Sequence, residues 1–177
     1  MTDIPIHELV ARIRETPGCT VAEPIGRRDL RLPVVHPGHV LPEDLREFYE
    51  VCGGLTLFKQ SPYTTILVPP MEVVVATPFL EPGAYPDQFT SSLDDISWSW
   101  YLIARDENRE YLTIDLSKER AGRCYDSSLG CHANPGSCAI VAFSFTELVR
   151  RLYEDQGEHW LPDLLALGDA YQGIGSQ

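Results

Sequence analysis

Apolar residues recur along this chain with two different periods, and the switch between them divides it. Ile6, Leu9, Val10 and Ile13 fall at i, i+3, i+4 and i+7, the spacing of one face of a short amphipathic helix, and Pro17-Gly18 ends it. Leu41, Leu45, Phe48, Tyr49 and Cys52 form a second helical stripe within LPEDLREFYEVCGG. Pro42 suits the first helical turn, and Glu43 and Asp44 put negative charge beside the positive helix N-terminus. Gly53-Gly54 supplies a residue able to take positive φ at the C-cap. Residues 17–40, broken by proline and glycine, read as an irregular connection between the two helices.

Beyond Gly54 the period falls to 2. Leu55–Phe58, Tyr63–Pro69 and Met71–Thr77 are β-rich runs, followed by a long polar loop over 78–95. Ile96–Ala104, Glu110–Leu116, Gly122–Asp126 and Cys138–Phe143 are further predicted strands, the first two joined as a hairpin by Asp106-Glu107-Asn108. Ile96, Trp98, Trp100 and Leu102 would share the core-facing side of their strand. Ser144 and Glu147 form a capping box, and Phe145, Leu148, Val149, Leu152 and Tyr153 give the helix after it an apolar face. A last helical piece is expected over His159–Tyr171, then a frayed tail at 172–177. Helices, then consecutive strands with short turns, then helices again predict an α+β fold. Its sheet would be mostly antiparallel, of about five to six strands, with helices packed on one face of a single domain, 1–177.

Charge changes the functional picture. Against 14 Lys and Arg stand 26 Asp and Glu, a formal charge of −12. Such a field repels nucleic acid and anionic membrane surfaces and attracts basic partners. Residues 81–177 hold 7 basic and 16 acidic groups and so carry −9 of the total. The N-terminus shows no apolar signal region, no run approaches the ~18 residues of a membrane helix, and five cysteines at irregular spacing suggest reduced thiols. Cytoplasmic residence is the expectation.

The segment LPEDLREFYEVCGG resembles the N-terminal signature of the SUKH superfamily, the Smi/Knr-type domain. There a Leu-Pro opens a helix, an aromatic pair sits in its middle and a small pair ends it. The run ISWSWYLIARDE, the strand ending in Asp115-Leu116, the strand with Tyr125, and the helix after AFSFTELVRRLYE are similar to that family in order. The resemblance covers about residues 40–155. Gly53 stands where Asn is common, and the loop from Asp126 to Ser137 is particular to this chain. The resemblance implies a binding module, with bacterial members typically acting as immunity proteins against a cognate toxin, often a basic nuclease. A regulatory or scaffold domain with a non-toxin partner is the alternative within the family.

Candidate chemistry divides into three sets. Asp94, Asp95, Asp106, Glu107, Glu110 and Asp126 would form an anionic surface that steers a basic partner, with Tyr101 or Tyr125 as its aromatic anchor. Cys124, Cys131, His132 and Cys138 come nearest to a zinc set, but C-x6-C-H-x5-C lacks the usual C-x2-C knuckle, so no metal and no cofactor are expected. A Cys–His hydrolase would pair Cys131 or Cys138 with His132, His36, His39 or His159. No nucleophile motif accompanies these residues, so the chain is not expected to be an enzyme.

Overall fold

Each of the two N-terminal stripes becomes a helix. The computed structural model describes residues 4–26, 37–82, 95–158 and 167–172. Helix α1 spans Ile6–Arg14 and buries Ile6, Leu9, Val10 and Ile13. Helix α2 spans Glu43–Val51 and buries Leu45, Phe48 and Tyr49. The expected left-handed C-cap does not follow α2, because Cys52 is already extended. Gly53 and Gly54 serve the sheet instead. The Ala22 amide bonds the Gly54 carbonyl at 2.9 Å, and a Cβ on Gly53 would lie 2.5 Å from the Glu23 carbonyl oxygen. That close backbone approach requires glycine at 53.

Seven strands follow in chain order as an antiparallel meander: β1 Thr20–Val21, β2 Leu55–Leu57, β3 Thr65–Leu67, β4 Trp100–Arg105, β5 Tyr111–Asp115, β6 Cys124–Asp126 and β7 Ile140–Ala142. The α+β class and antiparallel sheet agree with the expectation from sequence. The additional strand is β1, two residues long and too short to show a period.

Two predicted runs fold differently. Met71–Thr77, read as β-rich, enters a 3₁₀ turn at Pro70–Glu72 and then helix α3 at Ala76–Leu80. Ile96–Ser99 is also a 3₁₀ turn, since the Asp95 carboxylate accepts the Ser97 amide and starts a helical turn. The strand therefore begins at Trp100, and Trp98 does not share its face.

The three longer helices cover one sheet face. Helix α4, Phe145–Glu154, has Ser144 accepting the Glu147 amide at 3.1 Å, while Glu147 reaches back to the Phe143 amide at 2.8 Å. Asp44 of α2 accepts the Thr146 amide at 2.8 Å and so caps a second helix besides its own. Phe48 meets Phe145 with ring centroids 4.9 Å apart, above Tyr101, Ile103, Leu112, Ile114 and Val141 of the sheet.

The opposite face is buried too. Trp100, Leu102, Tyr125 and Ile140 pack with Ala76 of α3, Cys138 and Ala170. Asp169 bridges Ala139 beside β7, and residues 168–172 form this bridge and a turn rather than the end of the predicted last helix. The rest of that helix, 159–166, and the tail 173–177 lie outside the described residues.

Candidate partner-binding surface

The hairpin between β4 and β5 was expected to be an acidic tip, but its carboxylates divide between inside and outside. Asp106 is 3 % exposed. Its oxygens accept the Glu110 amide at 2.8 Å and the Asn108 side chain at 3.0 Å, which closes the turn while Arg109 takes φ +68°. Asp126 is buried and accepts the Ser128 amide and hydroxyl. Asp95 is half-buried and accepts the Ser97 amide and the Tyr171 hydroxyl at 2.9 Å. These three shape their own loops, as short acidic side chains do in turns. Glu107 is exposed, and the half-buried Glu110 accepts the Leu129 amide at 3.2 Å. Asp94 lies outside the described residues.

Neither expected anchor reaches the surface. Tyr101 faces the helix-covered side, 2.8 Å from His39 Nδ1. Tyr125 stacks on Trp100 with centroids 4.4 Å apart, and its hydroxyl donates to Asp115 at 3.2 Å. Both are buried because the sheet is covered on both sides.

The cysteine–histidine set is likewise not assembled. Cys124 belongs to the helix-side core, whereas Cys138 and His132 lie on the other side. Burial pushes the Cys124 thiol up, and raises Cys138, whose Sγ approaches the Cys131 carbonyl, to about 12. Burial also raises the half-buried Cys131. Thiols so shifted hold their protons and are poor nucleophiles and ligands at neutral pH. Among the described residues no group of three or more His, Cys, Asp and Glu side chains could hold a metal ion. His36 and His159 lie outside the described residues.

His132 sits in a chain of hydroxyls. Its Nε2 lies 3.2 Å from Thr77 Oγ1 and its Nδ1 lies 3.1 Å from Ser127 Oγ. Thr77 donates to the Ser97 carbonyl at 3.2 Å, which can only accept. Thr77 Oγ1 therefore accepts from Nε2–H, and Nδ1 accepts from Ser127, itself 2.8 Å from Thr113 Oγ1. The chain is complete with a neutral imidazole. Burial lowers the His132 pKa to about 4, against a smaller opposing pull from Asp95. The unfolded chain, near 6.5, then binds more protons than the folded one between pH 4 and 6.5. Stability from this residue rises with pH through that window and is lost as pH falls, by up to about 3 kcal/mol. About 2 kcal/mol of that falls between pH 7 and 5. Urea unfolding at those two pH values should therefore show a loss smaller by that amount in His132→Gln than in wild type. Equal losses in both would contradict the neutral, buried assignment.

Sequence reasoning missed two features. The first is Asp115, fully buried at the end of β5: the Ser117 amide donates to one oxygen and Arg120 and Tyr125 to the other, while Ser99 Oγ shares its one proton between Asp115 and the Ile96 carbonyl. The second is an apolar groove of about 340 Å³, lined by Val68, Val74, Phe79, Leu102, Ala104 and Tyr111. Glu72 and Arg105, 3.9 Å apart, stand at its rim. Phe79 meets Tyr111 edge-on at 5.7 Å and remains half exposed. The available signal was Phe79, a large apolar residue at the start of a stretch otherwise read as a polar loop.

Residues 37–151 match the family model described as SMI1 / KNR4 family (SUKH-1). The chain belongs to that family. In this SUKH-1 chain the matched span runs from the turn before α2 into α4 and takes in β2 to β7; α1 and β1 precede it. A relative from Bacillus subtilis (strain 168), "Immunity protein YokJ", is 40% identical over 172 residues, covering 96% of this chain and 97% of that protein. No solved structure matches the SUKH-1 chain. Among the described residues no helix is long and apolar enough to cross a membrane.

Proposed function

We propose that this SUKH-1 chain is an immunity protein that binds a toxin protein and neutralises it by one-to-one occlusion, without turnover. The observation that carries this is the 40% identity, across nearly the whole of both chains, to a protein named as an immunity protein. The finer reading is that the toxin is basic, as a nuclease that grips polyanions would be, and that the encounter takes place in the cytoplasm. The excess of acid supports it: −12 overall, with −9 beyond residue 80. Long-range attraction of this kind raises association rates and is screened by salt. Glu107 and Glu110 take part in that field, whereas Asp106 and Asp126 act through the shape of the loops they hold.

The test is protection in cells. The C-terminal domain of the neighbouring gene's product, taken as the candidate toxin and expressed alone, should arrest growth, and co-expression of this chain should restore it. Growth arrest that persists at equal or excess levels of this chain would overturn the assignment.

A further inference from the structure

Resting on the immunity reading, we propose that the groove between the Pro70–Leu80 segment and strands β4–β5 is where the toxin docks. The occupant is a toxin loop that seats one large apolar or aromatic side chain between flanking Lys or Arg residues.

Three observations point to that occupant. Among the described residues five large apolar side chains are substantially exposed; Phe79 at 51 % lines this groove, Met71 at 75 % is next in sequence to the lining residue Glu72, and Leu129 at 94 % follows two residues after Ser127, whose amide bonds the Tyr111 carbonyl. The Leu129 amide is bonded to Glu110, the neighbour of Tyr111. Apolar surface concentrated in one place marks an interaction site, whereas single scattered residues need no explanation. The groove is also of a size to take one aromatic side chain, with aromatic edges from Phe79 and Tyr111 to meet it. Buried anchors of this kind carry most of the affinity of a protein interface.

The rim supplies the charge. Glu72 and Arg105 line the groove as a pair, and Glu81, Glu107 and Glu110, against Arg109, lie within two residues of the lining residues Phe79, Arg105 and Tyr111. The Glu72–Arg105 pair balances itself, so the excess of acid comes from Glu81, Glu107 and Glu110. An apolar centre with an acidic border fits an apolar side chain set among cations and disfavours an acidic partner.

The experiment uses the full chain and, as the candidate toxin, the C-terminal domain of the neighbouring gene's product carrying a substitution that removes its toxicity, with the dissociation constant measured by titration calorimetry. Phe79→Asp and Leu129→Asp should each weaken binding at least tenfold. Phe143→Asp is the matched control. Its ring is 49 % exposed, lies under Arg123 rather than at the groove, and should bind within twofold of wild type. All three positions are at the surface, and thermal unfolding within a few degrees of wild type verifies each fold. Leu129→Asp keeps the test open if Phe79→Asp does not fold. Tight binding by wild type and by both groove variants would overturn the docking site and leave the immunity reading standing. No binding by wild type would remove both. A wild-type dimer that Phe79→Asp converts to monomer would assign the groove to a second copy of this chain and overturn the proposal.

Discussion

Replacing Asp115 with alanine should cost about 3–5 kcal/mol of folding stability, the range for removing one partner of a buried ion pair. The carboxylate is fully buried and takes three donors, the Ser117 amide and Arg120 Nε at 2.8 Å and the Tyr125 hydroxyl at 3.2 Å, while Ser99 Oγ, also at 2.8 Å, shares its one proton with the Ile96 carbonyl. Partial burial works against the Arg120 charge, but the bond to Asp115 outweighs it, and the guanidinium pKa is raised. For Tyr125, burial first and the Asp115 charge second push the phenol up, so it stays protonated and donates. Alanine would leave the Tyr125 hydroxyl and the Ser117 amide in the core without their acceptor. Tyr125 stacks on Trp100, so the loss would spread into the second core layer. At roughly 2–4 °C per kcal/mol for a chain of this size, thermal unfolding should fall by about 6–20 °C. Asp115→Asn, which keeps the shape and part of the bonding, should cost less. A midpoint within a degree or two of wild type for Asp115→Ala would show that water replaces the carboxylate at little cost.

Phe48→Ala should be of the same order, about 3–5 kcal/mol, for a different reason. Phe48 has no exposed surface, and its ring sits 4.9 Å from Phe145 and 5.1 Å from Tyr49. It joins α2 to α4 over the sheet, and these two rings would collapse poorly into the space left behind. Tyr49 is itself tied to the Val68 carbonyl at 2.8 Å and cannot move in without breaking that bond. Urea unfolding should show a lower midpoint with an unchanged slope. A loss under about 1 kcal/mol would mean that the helix layer repacks freely.

The helix layer was legible because a period of 3.6 and a capping box are local signals. The stripe on α1 and the Ser144–Glu147 cap fold as read, as do Leu45, Phe48 and Tyr49 of the α2 stripe, whereas Leu41 and the extended Cys52 lie outside that helix. The sheet was legible as a class, since short apolar runs joined by turns favour antiparallel pairing. Local exceptions escaped. Alternation through Ile96–Ala104 looked like one strand, but Asp95 captures the Ser97 amide and delays the strand to Trp100. An acidic residue two positions before a serine was the available sign. Met71–Thr77 has β-branched residues, yet Pro70 opens a 3₁₀ turn there.

The functional surface was less legible, since a period of 2 assigns one face of a strand to solvent only if nothing covers it. Here α3, the loop carrying His132 and the residues around Ala170 cover the second face. Tyr101 and Tyr125, on opposite faces, are therefore both interior. Charge along a sequence also does not say which way a carboxylate points. Asp106 and Asp126 turn inward to their own backbone, while Glu107 stays out. Family membership and the acidic balance were readable from residues alone; the groove at Phe79 required the fold.

Neutralisation by one-to-one occlusion can be followed by titrating the active toxin domain with this chain and recording complex formation and toxin activity in the same samples. A single complex of equal stoichiometry should form, with residual activity falling in proportion and reaching its floor at one equivalent. Activity that persists beyond one equivalent in the presence of the complex, or that is lost at substoichiometric amounts of this chain, would contradict it.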